Sequence, residues 1–123
     1  MALNDRVQSL IEHLKQGQIL EAMDAFYADN TAMQENSNPP VKGLAENIER
    51  EKQFLASVKD WKGLEVTAAA VDDAGGDSGT AFIEYHFEFT NTDGADVRYE
   101  QVSVQRWEGG KIAHERFYYN AGG

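Results

Sequence analysis

The sequence has no cysteine, only two prolines and no long apolar run. Without cysteine the chain can form neither a disulfide framework nor a thiolate metal site, which is compatible with a reducing compartment. Without a run of about 20 apolar residues it offers no candidate for a membrane-spanning helix. The first residues, MALNDRVQSL, also lack the basic segment followed by an apolar one that is typical of a signal peptide. We therefore expect a cytoplasmic protein.

Positive charge is also scarce, because 11 Lys and Arg face 21 Asp and Glu, for a formal net charge of −10. A surface of this sign repels phosphate backbones and anionic lipids, which argues against nucleic acid or a membrane as a partner. The composition that is present, 41% hydrophobic and 11% aromatic over 123 residues, is typical of a folded chain. We expect a single domain over residues 1–123, large enough to bury about two-thirds of its unfolded surface.

The first half of the chain has helical periodicity. Leu3, Val7, Leu10, Ile11 and Leu14 recur at helical spacing before a stop at Gly17. A second apolar stripe consists of Ile19, Met23, Phe26 and Tyr27, and a brief strand is predicted over 31–35. After Pro39, Pro40 and Gly43 a third helix is predicted over roughly 44–59, with its buried side formed by Leu44, Ile48, Leu55 and Val58.

The second half alternates with period two, which predicts strands over 64–71, 80–90, 96–107 and 111–119. The last two connections, NTDGA and EGG, are short enough for antiparallel hairpins. Helices followed by a strand meander predict an α+β fold, with three N-terminal helices packed on one side of a curved, mainly antiparallel sheet.

The strand register decides which side chains share a face of this sheet. With Asp93-Gly94 centred in its turn, Glu84 lies opposite Ser103 and His86 opposite Gln101; with EGG as a three-residue loop, Ser103 lies opposite Glu115. One face then carries mostly polar residues: Glu84, His86, Gln101, Ser103, Gln105 and Glu115. The other carries mostly apolar ones: Ile83, Tyr85, Phe87, Val102 and Val104.

Either face of this sheet could be the buried one. Alternation alone favours the apolar face as core and the polar face in water; the alternative is a polar face that lines a cavity. A register shift of one residue would place the members of this polar cluster on different faces.

Three segments carry a family resemblance: FYADNTAMQE (26–35), PPVKG (39–43) and SVQRWEGGKIAHERFYYN (103–120). Through them the chain resembles the SnoaL-like branch of the nuclear-transport-factor-2-like superfamily, which includes ketosteroid isomerase and polyketide cyclases. The resemblance implies a cone-shaped fold whose concave face encloses a small-molecule pocket, and thus a polar face directed inward. It also implies a homodimer through the outer face, around Tyr85, Phe87, Val102 and Val104.

Only some of the isomerase's functional residues have a counterpart in this sequence. Glu35 stands where the isomerase has its acidic base. The isomerase's two oxyanion-stabilising donors correspond to about Ile11 and Ser103, and isoleucine has no proton to donate. We therefore do not expect steroid isomerase activity.

The resulting candidates for acid–base catalysis are Glu35, His86 and Glu115. The candidates for substrate binding are Glu84, Tyr99, Gln101, Ser103, Gln105, Phe117 and Tyr119. Each also has a structural alternative, such as a hydrogen bond between His86 and Gln101 or an ion pair between Glu115 and an arginine. No metal or cofactor is expected, because no ligand spacing or Gly-rich loop is present. Two hypotheses follow: a cofactor-independent isomerase, cyclase, dehydratase or hydrolase acting on a small carbonyl compound, or a non-catalytic binding domain of the same fold.

Overall fold

The computed structural model describes residues 2–120. Three helices pack against a six-stranded sheet that is curved but not closed, with the strand order β2-β1-β6-β5-β4-β3. All neighbouring strands are antiparallel except β1 and β6, which are parallel. The predicted α+β cone is therefore confirmed. The elements in chain order are α1 (Leu3–Lys15), α2 (Ile19–Phe26), β1 (Tyr27–Glu35), β2 (Val41–Lys42), α3 (Leu44–Ala56), β3 (Val58–Gly75), β4 (Ser78–Asn91), β5 (Asp96–Glu108) and β6 (Lys111–Tyr119).

The helical stripes predicted from the sequence form the core beneath the sheet. Leu3, Val7, Leu10 and Ile11 of α1 are buried, and they join a cluster that includes Trp107 of β5. Burial of side chains of this size stabilises the fold by about 1.5–3 kcal/mol each. Gly17 adopts φ = 73°, a left-handed conformation that glycine tolerates, just after α1 ends.

Several boundaries differ from the prediction, including that β1 begins at Tyr27 rather than 31, and two of the differences lie around Ser57. The third helix ends at Ala56 rather than near 59, and β3 begins at Val58 instead of 64. The Ser57 hydroxyl donates to the Phe54 carbonyl at 2.6 Å, which satisfies a helix-end acceptor. The start of β3 has no clean alternation, because it is an edge strand whose pairing with β4 shifts repeatedly.

The predicted register between β4 and β5 is wrong by one residue. The turn is a three-residue loop between Asn91 and Ala95, not a two-residue Asp93-Gly94 turn. The Asn91 side-chain oxygen accepts from the Asp93 and Ala95 amides at 3.0 and 2.9 Å, and Gly94 has φ = 84°. A three-residue hairpin loop with a left-handed glycine is a common alternative to the two-residue turn.

Because of this one-residue shift, the side chains of β4 that were predicted to point inward point outward relative to β5, and the reverse. Ser103 lies opposite Ile83, whereas Glu84 lies opposite Val102 and His86 opposite Glu100. Because side chains alternate along a strand, the apolar side of β4 shares the inner face with the polar side of β5. The structure therefore separates Glu84 and His86 from the polar cluster in which the sequence predicts them.

The register between β5 and β6 also differs, but without changing faces. Gly109 and Gly110 form a two-residue turn with φ = 57° and 83°, and a bulge follows at the Arg106/Trp107 position. Gln105 lies opposite Glu115, two residues from the predicted pairing of Ser103 with Glu115. A shift of two preserves the side-chain direction, so the predicted inner face of these two strands is correct.

Candidate functional site

A cavity of about 250 Å³ lies between the inner face of the sheet and the helices. Its walls are largely apolar and aromatic, including Phe54 from α3 and Phe87 from β4, whose rings meet edge to face with centroids 6.2 Å apart. About half of the lining residues also carry a carboxyl, amide, hydroxyl or guanidinium group. They are Tyr27, Glu35, Asn47, Arg50, Glu51, Tyr85, Tyr99, Gln101, Ser103, Gln105, Glu115 and Tyr119.

Glu115 of β6 is the buried carboxyl group of this cavity, with 2% of its surface exposed. Three side chains donate to it: the Tyr27 hydroxyl to Oε1, the Ser103 hydroxyl to Oε2 at 2.5 Å, and Gln105 Nε2 to Oε2 at 2.8 Å. A buried carboxylate needs such donors, since an unpaired one is very costly in an apolar interior.

The direction of the Gln105 hydrogen bond is fixed by Trp107. The indole N–H of Trp107 can only donate, and it donates to Gln105 Oε1 at 3.1 Å. The amide nitrogen of Gln105 must therefore face Glu115. Trp107 and Gln105 together present a fixed donor to the carboxyl group.

Burial raises the pKa of Glu115, while the hydrogen bonds from Ser103, Tyr27 and Gln105 lower it, with burial the larger effect. The pKa of Tyr27 is raised well above its ordinary value by burial and by the neighbouring Glu115 charge. The tyrosine hydroxyl thus keeps its proton and remains a donor to the carboxyl group.

Glu51 of α3 is a second carboxyl group in the cavity, and it is absent from the candidates predicted from the sequence. Burial has the largest effect on its pKa, and the charges of Glu115 and Glu35 act in the same direction. Arg50 lowers the pKa, but the net result is a rise from 4.5 to about 7. The helical spacing contained the signal, because Glu51 lies on the same stripe as Leu44, Ile48 and Leu55 of the predicted helix. A carboxyl group on the apolar side of a helix is a candidate for a perturbed pKa.

Glu35 lies at the rim of the cavity, where the sequence predicts it. Its carboxylate pairs with Arg50 at 3.4 Å, and about half of each side chain is exposed. Such an exposed pair contributes little to stability. Tyr119 lines the same rim, and burial together with Glu35 raises the pKa of its hydroxyl.

Tyr85 and Gln101 form the remaining polar pair in the cavity. Tyr85 is 8% exposed, and its hydroxyl accepts a hydrogen bond from Gln101 Nε2 at 2.7 Å. The sequence predicts Tyr85 on the outer face, and its inward position follows from the corrected register.

The sequence-predicted residues thus separate into two groups. The cavity contains Glu35, Tyr99, Gln101, Ser103, Gln105, Glu115, Phe117 and Tyr119. Glu84 and His86 lie on the outer face, where Glu84 accepts from the Thr67 hydroxyl at 2.6 Å and His86 lies 3.3 Å from Glu65. The predicted shared site of His86 with Glu115 is therefore not formed.

Within residues 2–120, no group of three or more His, Asp or Glu side chains could hold a metal ion. None of the three described helices is both long and apolar enough to cross a membrane. Thr31 carries one buried hydroxyl without a hydrogen-bond partner in the described part of the chain.

A curved sheet covered by helices, with carboxyl groups in an internal cavity, defines an α+β cone protein. The SnoaL-like domain model matches residues 7–115, most of the chain, and the protein belongs to that family. Among curated proteins, none matches the sequence significantly.

Solved structures share the fold at low sequence identity. A protein from Mesorhizobium loti, provisionally described as a SnoaL-like polyketide cyclase, has a TM-score of 0.74 at 23% identity, with 97% of this chain and 100% of that chain covered. A protein from Bacillus subtilis, provisionally described as an isomerase, has a TM-score of 0.74 at 17% identity, covering 98% and 90%. An LEH-like epoxide hydrolase from M. tuberculosis has a TM-score of 0.71 at 14% identity, covering 94% and 80%. At these identities the similarity establishes the fold alone.

Proposed function

We propose that this protein is a cofactor-independent enzyme that carries out acid–base chemistry on a small, mostly apolar carbonyl compound. The observation that carries the proposal is the placement of two carboxyl groups with raised pKa values, Glu51 and Glu115, in one cavity with largely apolar and aromatic walls. Charged groups in such surroundings repel each other and hold protons at higher pH than in water. Two carboxyl groups with different surroundings are a recurrent basis for acid–base catalysis.

The surroundings assign different roles to the two groups. Glu115 already accepts from Tyr27, Ser103 and Gln105, so its carboxyl group is held in place and its free lone pairs are few. Glu51 makes no comparable set of hydrogen bonds within residues 2–120, and its pKa of about 7 suits proton transfer at neutral pH. We therefore assign proton transfer to Glu51 and electrostatic support to Glu115.

The charges of the cavity argue against an anionic substrate. Glu35, Glu51 and Glu115 line it against Arg50, the only Lys or Arg side chain in the described lining, and Arg50 is already paired with Glu35. An anionic compound would be repelled by the unpaired carboxyl groups. The volume of about 250 Å³ is below the range of roughly 300–1,000 Å³ usual for drug-sized ligands, which favours a small compound.

The provisional names of similar structures, a polyketide cyclase and an isomerase, and the name of the epoxide hydrolase support the same general class. They do not select one reaction. The proposal is therefore limited to one type of chemistry, the transfer of a proton to or from a compound bound in an apolar pocket, with no cofactor.

Hydrogen–deuterium exchange at carbon tests this function with simple ketones as probes. Cyclohexanone, cyclooctanone and acetophenone exchange their α-protons in D2O when a base removes them, and NMR follows the loss of signal. We expect wild-type protein to accelerate exchange of at least one of them. Glu51→Gln should reduce the accelerated rate by about 100-fold or more, the usual contribution of a general base.

Glu49→Gln is the matched control, because Glu49 lies on the exposed side of the same helix. It should exchange the ketone as fast as wild type. Equal rates in wild type and Glu51→Gln, or no acceleration by wild type, would refute the assignment.

A non-catalytic binding domain is the second candidate. The observation that favours it is the set of three donors to Glu115, which satisfies that carboxyl group without any ligand. In that case ketones would bind and exchange no faster than in buffer, and Glu51→Gln would leave their affinity unchanged.

A homodimer through the outer sheet face is part of the proposal. With Tyr85 and Phe87 inside the cavity, the outer apolar patch consists of Phe82, Val102, Val104 and Tyr118. Phe82 and Tyr118 are 42% and 44% exposed, although both are large apolar side chains. Neighbouring exposed groups of this kind suit a protein–protein contact. A cytoplasmic location stays a prediction.

A further inference from the structure

Aromatic rings form a continuous wall of the cavity that the proposed proton transfer does not use. Six rings of its lining contact one another in series, with neighbouring centroids 5.4–6.3 Å apart. They come from α3 and from the strands β3 to β6: Phe54, Trp61, Tyr85, Phe87, Tyr99 and Tyr119. Because the interplanar angles range from 22° to 87°, a group bound against this wall meets ring faces as well as edges. Ring faces carry partial negative charge and attract cations.

The charges of the cavity leave one carboxyl group without a partner. Arg50 is the only Lys or Arg side chain in the described lining, and it already pairs with Glu35 at 3.4 Å. Glu115 is satisfied by three donors. Glu51 has neither arrangement within residues 2–120, although it lines the same cavity. A buried carboxylate without a partner is costly, and a positively charged ligand would supply that partner.

Helix α3 brings this carboxyl group and the aromatic wall together. Glu51 and Phe54 are three residues apart, so their side chains are neighbours on one face of the helix, with Cβ atoms about 5–6 Å apart. Both line the cavity, and the ring of Phe54 meets that of Phe87 edge to face. One bound group can therefore contact the carboxylate and the rings at once.

We propose that the ligand of this cavity carries an alkylated ammonium group, held between the Glu51 carboxylate and the rings of Phe54 and Phe87. Such a group suits these walls, because its methyl groups offer apolar contact surface while its charge is attracted to ring faces. The inference rests on the proposed function in one respect, since it specifies the substrate as a carbonyl compound that also has a positive charge. The bound cation favours the ionised form of Glu51, which is the form that accepts a proton.

Two probes of the same shape test the requirement for charge. They are choline and 3,3-dimethylbutan-1-ol, in which a carbon atom replaces the ammonium nitrogen. Proton NMR titrations at pH 8 and low ionic strength measure both affinities from the methyl resonance. We expect wild type to bind choline at least about tenfold more tightly than the alcohol, through the rings and the carboxylate together. Contact with ring faces should also move the methyl resonance upfield.

Substitutions remove the two sides of the site separately. Phe87→Leu should lower the preference for choline over the alcohol by about three- to tenfold and reduce the upfield shift. Its control is Phe82→Leu, because Phe82 is a 42% exposed aromatic residue on the outer face of the same strand. Glu51→Gln should lower the preference by a similar factor, and Glu49→Gln, on the exposed side of α3, should not. Because the probes share one shape, a general loss of packing leaves their affinity ratio unchanged.

The pH dependence of binding identifies the carboxyl group. The charged and titratable groups that interact with Glu51 come from α3, β1, β4 and β6: Arg50, Tyr27, Glu35, Tyr85 and Glu115. Burial raises the pKa of Glu51 to about 7, so its ionised fraction increases about tenfold from pH 6 to pH 8. The choline affinity of wild type should rise by about that factor, and Glu51→Gln should lose most of the rise. Affinity for the alcohol should change little.

The outcomes separate this inference from the proposed function. A preference for choline that depends on Phe87 and Glu51, without accelerated deuterium exchange of ketones, would support the cation site and refute the catalytic role. Accelerated exchange with equal affinities for choline and the alcohol would support the catalytic role and overturn the cation site. The cation site is also overturned if wild type binds neither probe, if Glu51→Gln keeps the full preference, or if Phe82→Leu lowers it as much as Phe87→Leu.

Discussion

The two faces of the sheet formed by β4, β5 and β6 carry similar polar residues in different surroundings. On the inner face Glu115 is 2% exposed and accepts from three side chains. On the outer face His86 pairs with a Glu65 side chain that is 71% exposed, and Arg98 pairs with Glu88 when both are nearly half exposed. The residue types alone do not distinguish a site from a solvated surface. What distinguishes them is the loss of water around the inner groups.

The physical consequence is a difference in interaction strength. Exposed ion pairs contribute about 0–1 kcal/mol, because water and side-chain entropy oppose them. Inside the cavity, burial is the largest effect on the pKa of both Glu51 and Glu115, and it raises each. The cavity therefore contains a carboxyl group, Glu51 of α3, whose pKa is raised to about 7, and a second one, Glu115, whose pKa is also raised.

The largest effect is expected on the outer face, from Val102→Glu, which places a carboxylate opposite Glu84. An unpaired charge buried in a dimer contact costs on the order of 3–5 kcal/mol, so the variant should be monomeric where wild type is dimeric. Light scattering at tens of micromolar protein measures this. Gln53→Glu, on the exposed side of α3, is the control and should remain dimeric. Monomeric wild type under these conditions would end the dimer proposal.

The next largest effect is expected at Glu115. Glu115→Ala removes the acceptor of Tyr27, Ser103 and Gln105 and leaves buried donors unpaired, which should lower the free energy of unfolding by about 3 kcal/mol. Urea denaturation measures the change. Glu84→Ala, the outer-face counterpart, should change it by less than about 0.5 kcal/mol. Similar costs for the two variants would contradict the contrast between the faces.

A pH-dependent effect is expected at Glu51. Because its pKa rises from 4.5 to about 7 on folding, the folded state binds more protons than the unfolded state in that window. Stability contributed by this group is therefore highest below pH 4.5 and falls as pH rises through about 7, by no more than roughly 3 kcal/mol. Glu51→Gln should match wild type in acid and exceed it at pH 8. Parallel pH profiles for the two proteins would show that Glu51 titrates normally.

The sequence was sufficient to predict the fold and most of the inner face of β5 and β6. Gln105 and Glu115 share that face as predicted, because the two-residue Gly109-Gly110 turn and the bulge each shift the pairing by one residue, and a total shift of two keeps side-chain direction. The order of the three helices and of β3 to β6 followed from periodicity, whereas the short strand β2 was not predicted; the resemblance selected the inward polar face, which is correct for β5 and β6 and wrong for β4.

Two parts of the site could not be predicted in the same way. His86 is misplaced by the predicted register because the segment around Asp93 and Gly94 is compatible with two loop lengths, and one residue reverses every side chain of β4. Glu51 was missed because an acidic residue on a helix is usually solvated; its place on the apolar stripe indicated its direction, and the packing of α3 over the cavity accounts for its burial. Tertiary contacts decide both cases.

The proposed function depends most on Glu51 exchanging its proton near neutral pH inside the cavity. Carbon-13 NMR of the glutamate side-chain carboxyl groups, with the Glu51 resonance assigned by its absence in Glu51→Gln, measures this exchange. We predict a titration midpoint for Glu51 of about 7. A midpoint near the ordinary value of 4.5 would contradict the proposal.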